Sequence, residues 1–232
     1  MKNLQKIFKK YQINISNLQE KQFDTYFSML VETNKFMNLT AITEEQDVLI
    51  KHFLDSVLPI EHIPQNASVV DVGTGAGFPA LPLKIVRPDL NISMVDSLNK
   101  RINFLNNVII SLALDNISAT HARAEDFAKK HREAFDVAVA RAVAPLNTLS
   151  EYLLPLLKIG GIAVIYKSSK LDEELTAATK AIDVLGGQVD KILTYNIEEG
   201  QLERNVLIIK KIRHTPPKYP RDKNNPKLHP IS

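Results

Sequence analysis

The sequence predicts an α/β fold: a doubly wound, mostly parallel sheet that closes on an antiparallel C-terminal hairpin and carries an N-terminal helical extension. Three observations predict it. From residue 68 onward short β-branched runs alternate with longer stretches of helical spacing, the succession that builds βαβ units with helices on both sheet faces. The last two runs, near 188–196 and 204–211, are joined only by 197–203, too few residues for a crossover helix, so this pair should be antiparallel. Residues 1–60 hold helical patterns and no strand-like run.

Each element has its own signal. Ser16-x-x-Gln19 and Thr43-x-x-Gln46 are capping-box patterns, in which the hydroxyl accepts a backbone N–H and the glutamine reaches back to the cap. Behind the first, Phe23, Phe27, Leu30 and Val31 repeat at helical spacing; behind the second, Leu49, Phe53, Ser56 and Val57 do so more weakly. Strands are expected near 68–72, 91–96, 116–121, 135–141 and 161–167, ahead of the final pair. Helices are expected near 77–87, 98–113, 145–158 and 170–185, with Gly160-Gly161 and Gly186-Gly187 marking turns. The resulting division is a helical extension over 1–60 packed on the core, a sheet domain over 61–212 and a basic tail over 213–232.

Composition narrows the function classes. With 232 residues, 44% of them hydrophobic and 24% charged, the chain can bury a full core. Met1 to Lys6 is polar and basic, and no run approaches the roughly 20 apolar residues of a membrane span, so a cytoplasmic protein is expected. The absence of cysteine excludes disulfides, iron–sulfur clusters, thiolate zinc sites and a cysteine nucleophile. The six histidines show no metal-ligand spacing, so no metal is expected. The formal charge is only +3, yet residues 210–232 hold seven Lys/Arg against Asp222. A basic tail on a mildly acidic body suggests a polyanionic partner; a solvated, disordered end accounts for the same charge.

The most specific stretch is Ser68-Val69-Val70-Asp71-Val72-Gly73-Thr74-Gly75-Ala76-Gly77-Phe78-Pro79, a strand running into three glycines. A turn of this kind lets a ligand touch bare backbone. Read from Gly73 the spacing fails the dinucleotide fingerprint at Phe78, whereas read from Gly75 it passes at Ala80. Asp71 favours a cation: at the strand end its carboxylate would repel a pyrophosphate, and it suits S-adenosylmethionine, which carries a sulfonium and an ammonium. Asp96 lies 23 positions after Gly73, near the offset at which an acid meets ribose hydroxyls, and supports either nucleoside cofactor. Arg123-Ala124-Glu125-Asp126, in a loop beyond the third strand, offers a backbone N–H and a carboxylate to an adenine edge.

Several motifs together resemble the bacterial small-subunit ribosomal RNA methyltransferase family RsmG, also called GidB. They are Asn38-Leu39-Thr40, Lys51-His52-Phe53-x-Asp55-Ser56, the stretch from Asp71 to Pro79, Asp96-Ser97-x-x-Lys100-Arg101-x-x-Phe104-Leu105, Ala124-Glu125 and Arg141-Ala142-Val143-Ala144, with an echo at Tyr219-Pro220-Arg221. The resemblance implies a class I S-adenosylmethionine-dependent methyltransferase (Rossmann-like) fold and methylation of N7 of one guanine in 16S ribosomal RNA. It also implies that Gly73, Phe78, Ala124, Glu125 and Arg141 contact the cofactor; with Asp71, Gly75, Gly77 and Asp96 they form the expected cofactor set. Departures are Ala80 for a glycine, Lys167-Ser168 for Lys-Gly, and Asn224 and Leu228 for a glycine and a lysine.

The chemistry agrees with this resemblance. Methylation at pyrimidine C5 uses a cysteine, and exocyclic amine enzymes carry an Asp/Asn-Pro-Pro-aromatic tetrad where this chain reads Ala140-Arg141-Ala142-Val143-Ala144-Pro145. Guanine N7 has a free lone pair and no proton to lose, so positioning and water exclusion suffice, and some negative potential would help the emerging purine cation. Lys100, Arg101, Arg123, Arg141, Lys167 and Arg221 are the expected RNA contacts, on rRNA or a 30S precursor, in a monomer. A nicotinamide-dependent oxidoreductase and a noncatalytic RNA-binding assembly factor remain as alternatives.

Overall fold

The computed structural model describes residues 1, 3–167, 171–197 and 202–231. Helices α1 (Leu4–Lys10) and α2 (Asn17–Met37) lead. A helical run over 45–57 follows, in which a π-helical stretch, Leu49–Leu54, joins α3 (Glu45–Val48) to α4 (Asp55–Val57). The capping box at Ser16 forms in full, and Gln19 also donates to the carbonyl of Ile85 at 2.7 Å. One side chain thus starts α2 and ties it to the later domain. The second box does not form: Glu44 occupies the cap position without a side-chain bond. The nearby Thr40 hydroxyl shapes the approach instead, accepting the Ile42 N–H at 3.0 Å.

Among the described residues seven strands form one sheet: β1 (Ser68–Val72), β2 (Asn91–Asp96), β3 (Ile117–His121), β4 (Phe135–Arg141), β5 (Leu157–Lys167), β6 (Gly187–Ile197) and β7 (Leu202–Lys211). Their order is β3-β2-β1-β4-β5-β7-β6. The first five are parallel, and β7 runs antiparallel to both β5 and β6, so the final hairpin pairs as expected. Residues 198–201 of its connection, like Ser168, lie outside the described residues.

Strand residues alternate between two cores, as the two-residue side-chain period requires. Val69, Ile92, Met94, Val137 and Val139 meet α5 (Ala80–Val86), α6 (Asn99–Ser111) and the N-terminal helices. Val70, Val72, Val95, Ala138 and Ala140 meet α7 (Ala124–Lys130), α8 (Leu146–Leu153) and α9 (Leu171–Val184). Phe8, Phe23, Tyr26 and Leu30 belong to the first core, so the extension is an integral part of it.

Three further expectations change. Gly160-Gly161 sits inside β5, where the register against β4 shifts between Phe135 and Val137. A Cβ on Gly161 would stand 2.8 Å from the Asp136 carbonyl, so the pair permits close strand approach at an irregularity, and no turn is made. Glu125, read as a loop acid, is buried in the first turn of α7. The basic tail is not a loose end. Tyr219 joins the second core, Arg221 grips the fully buried Glu151 at 2.7 Å, and Asn225–Leu228 forms α10 against α8.

Candidate active site

Strand order reverses between β1, whose crossover leads to β2, and β4, whose crossover leads to β5. A doubly wound sheet binds ligands outside the carboxyl ends of its strands at such a point. Two cavities open here. The smaller, about 390 Å³, is lined by Gly73, Asp96, Arg123, Ala124, Glu125, Tyr152 and Asn224 among others. The larger, about 610 Å³, is lined by Lys51, His52, Asp55, Arg141, Lys167 and Arg204 among others. Val143 lines both.

The wall between them depends on backbone geometry. Gly73 has φ +73°, and a Cβ on it would stand 2.8 Å from Cγ2 of Val143. A side chain there would displace the residue that separates the cavities. Ala142, just before Val143, holds φ +56°, a left-handed conformation that costs a non-glycine residue about 1 kcal/mol. The surrounding fold sustains that strain and turns the loop so that Val143 meets Gly73.

Asp71 lies beneath the turn and lines neither cavity. It is fully buried, and its Oδ2 accepts the Thr74 hydroxyl at 2.6 Å and the Ala80 N–H at 3.3 Å, while Oδ1 has no partner. Burial raises its pKa to about 7, although the Thr74 and Ala80 hydrogen bonds oppose the shift. The sequence-based expectation of a direct cation partner therefore gives way to a strut joining the turn to α5. Asp96 does line the smaller cavity: its Oδ2 accepts from the Gly75 N–H at 2.9 Å and from Arg101 at 3.1 Å, and its Oδ1 from the Leu98 N–H at 2.9 Å. Gly75 and Gly77 shape the turn outside the lining. Phe78 is buried too, stacked on His52 at 4.5 Å with the Arg141 guanidinium 4.9 Å above its ring.

Charge in the larger cavity is organised by Asp55, only 4% exposed. Its Oδ2 takes Arg141 at 2.8 Å and its Oδ1 takes Arg204 at 3.1 Å, so one carboxylate from the helical extension fixes guanidiniums from β4 and β7. Arg141 also donates to the Lys51 carbonyl at 3.0 Å and to Nδ1 of His52 at 3.1 Å. Nδ1 of His52 also lies 3.1 Å from the Lys51 carbonyl, and its Nε2 is 2.8 Å from the Thr40 hydroxyl. Burial, with Arg141 beside it, lowers the His52 pKa to about 4 and keeps the ring neutral.

Of the expected RNA contacts, Arg141 and Lys167 line the larger cavity and Arg123 the smaller, while Lys100, Arg101 and Arg221 line neither. Lys100 is exposed on α6, and Arg101 is held by Asp96. Arg123 donates to Asn224 at 2.9 Å, and Lys167 bonds Glu174 at 2.6 Å and the Ala144 carbonyl at 3.0 Å. Arg141 pairs with Asp55, and Arg221 pairs with Glu151.

Comparison with known proteins decides the family. The family model described as rRNA small subunit methyltransferase G matches residues 19–206. The chain belongs to the methyltransferase G family. A relative of that name from Staphylococcus aureus is 50% identical over 226 residues, covering 96% of this chain and 95% of its own. Another, from Lachnoclostridium phytofermentans, is 48% identical over 223 residues, covering 94% and 92%. Solved structures with the same fold include M. jannaschii TYW2 in complex with AdoMet, at TM-score 0.57 and 14% identity, covering 74% of this chain and 80% of that one. A SAM-dependent methyltransferase from Aquifex aeolicus follows at 0.54 and 16%, covering 75% and 97%.

In this methyltransferase G chain the structure adds site residues to which sequence reasoning attached no role. Lys51, His52 and Asp55 carried a motif without a function, because a helix 86 residues before Arg141 meets it only in the folded chain. Tyr152 and Arg204 had no local signal at all, and Asn224 stood out only as a departure from the family pattern. Among the described residues no group of three or more His, Cys, Asp or Glu is placed to hold a metal, and no helix is long and apolar enough to cross a membrane.

Proposed function

We propose that the protein transfers a methyl group from S-adenosylmethionine to N7 of a guanine in small-subunit ribosomal RNA, with the donor's nucleoside in the smaller cavity and the guanine in the larger. The observation that carries this reading is the meeting of two chemically unlike cavities at Val143. The smaller cavity presents the carboxylates of Asp96 and Glu125 against the single guanidinium of Arg123, a net negative lining that suits an uncharged nucleoside with a cationic tail better than a pyrophosphate. This disfavours the nicotinamide alternative. When bound, the donor supplies a sulfonium-activated methyl, which passes to N7 as the C–S bond breaks and the N–C bond forms, with no proton to remove.

The chain's residues then bind and orient. Asp96 sits where ribose hydroxyls would meet a carboxylate, and Glu125 with the backbone at Ala124 where an adenine edge would lie. In the larger cavity Lys51, Arg141, Lys167 and Arg204 outnumber Asp55 and Glu174, so the wall is net positive. The negative potential expected to help the purine cation is absent from this wall, and its cations suit the phosphates and O6 of a guanine nucleotide. Arg141 spends three donors on Asp55, Lys51 and His52, whereas Arg204 keeps more of its own free for RNA. Neutral His52 holds Arg141 in place and takes no proton. The reaction is set in the cytoplasm, where the RNA is, with the protein acting as a monomer.

The test is to incubate the protein with labelled S-adenosylmethionine and with 30S subunits or free 16S rRNA from a strain lacking the gene, then map the label. Label at N7 of one guanine is expected. Label on another atom overturns the acceptor assignment, and RNA binding without turnover favours the assembly-factor alternative.

A further inference from the structure

We propose that the C-terminal segment 219–228 is a wall of the cofactor cavity, with Asn224 closing its nucleoside end over Glu125. The inference rests on the reading that the smaller cavity holds a nucleoside. Asn224 lines that cavity although it lies 99 residues beyond Glu125. The segment is fastened on both sides of it. Toward α7, Asp222 pairs with Lys129, the Asn224 carboxamide oxygen accepts from Arg123 at 2.9 Å, and the Asn224 N–H donates to Oε1 of Glu125 at 3.3 Å. Toward α8, Arg221 binds Glu151 through its backbone N–H at 2.7 Å and its guanidinium, and the Thr148 hydroxyl donates to the Pro226 carbonyl at 2.9 Å.

Two features separate a ligand wall from mere packing. Glu125 is 3% exposed, and one of its oxygens is oriented by the Asn224 N–H, so the segment sets the acid that faces an adenine edge. The Asn224 carboxamide nitrogen has no partner among the described residues, which leaves an unspent donor at the cavity mouth. Asn224 has φ +61°, a conformation open to asparagine and glycine. Glycine, the residue more usual here in the family pattern, would keep both the conformation and the N–H and lose only the carboxamide.

That difference defines the test. Asn224→Gly removes the carboxamide, its free donor together with the oxygen that accepts from Arg123, while Asn224→Pro cannot adopt φ +61° and has no N–H for Glu125. Calorimetry with S-adenosylhomocysteine and with adenosine reads the result on the full chain, and thermal unfolding confirms that the variants fold. We expect Asn224→Gly to weaken both ligands by about threefold and Asn224→Pro by about tenfold or more, the range for one to two lost hydrogen bonds. Unchanged affinity of both variants overturns the inference, as does a loss confined to S-adenosylhomocysteine, which would place the contact at the methionine end. Should Asn224→Pro fail to fold, Asn224→Gly alone decides. Absence of binding by the unmodified protein overturns the reading of the cavity and this inference with it.

Discussion

Replacing Asp71 by asparagine should convert a pH-dependent contribution to stability into a constant one. The carboxyl is fully buried, and its pKa stands at about 7 against an ordinary 3.8, chiefly through burial. A native-state pKa above the unfolded value means that the folded protein binds this proton more tightly. The contribution to stability is therefore complete below about pH 4, declines as pH rises and is lost by the time the pH has passed 7. At 1.36 kcal/mol per pKa unit, a rise from 3.8 to about 7 amounts to about 4 kcal/mol in all, of which about 3 kcal/mol falls between pH 5 and pH 8. Asparagine has the same shape and no charge. Its oxygen can accept from Thr74 and Ala80 as Oδ2 does, and its nitrogen takes the place of Oδ1, which has no partner in either case. Urea unfolding of both proteins at pH 5 and pH 8 isolates this group, because all other titrations cancel in the difference. The variant should gain about 3 kcal/mol on the parent across that interval. A difference that stays constant with pH would refute the reasoning and return Asp71 to an ionised role.

Two further substitutions probe the framework. Asp55→Asn removes the charge that holds Arg141 and Arg204, and leaving two partly buried guanidiniums uncompensated should cost about 3 kcal/mol in urea unfolding, with a loss of methyl transfer; an unchanged midpoint would show that the two arginines find other partners. Arg221→Leu strands the fully buried Glu151 carboxylate, so stability should again fall by about 3 kcal/mol. If instead the midpoint holds and the salt dependence of RNA binding flattens, the guanidinium belongs to the RNA interface.

Much of the fold was legible because its signals are local. The β-branched runs of β1, β2 and β4 begin and end at the expected residues, and the short final connection correctly implied an antiparallel hairpin. The errors share a cause. The helix expected from residue 77 begins at Ala80, because the glycine turn continues through Pro79. Thr43 looks like a cap, yet tertiary contacts of Thr40 with His52 decide how that run starts. Gly160-Gly161 looks like a turn, yet the neighbouring strand needs the space of a missing Cβ.

The site divides in the same way. Gly73, Asp96 and the Ala124-Glu125 pair sit at strand ends and helix starts, where the order of the βαβ units alone dictates position, so a linear reading reached them. The sequence by itself thus determined the fold class, the strand ends at which the smaller cavity opens and the exclusion of thiol chemistry. The tertiary structure decided which charges are spent and which are free. It buried Asp71, gave Arg141 to Asp55, locked Arg221 onto Glu151 and brought Asn224 to the mouth of a cavity begun at Gly73. Those outcomes depend on burial and on partners tens of residues away, and neither quantity exists until the chain has folded.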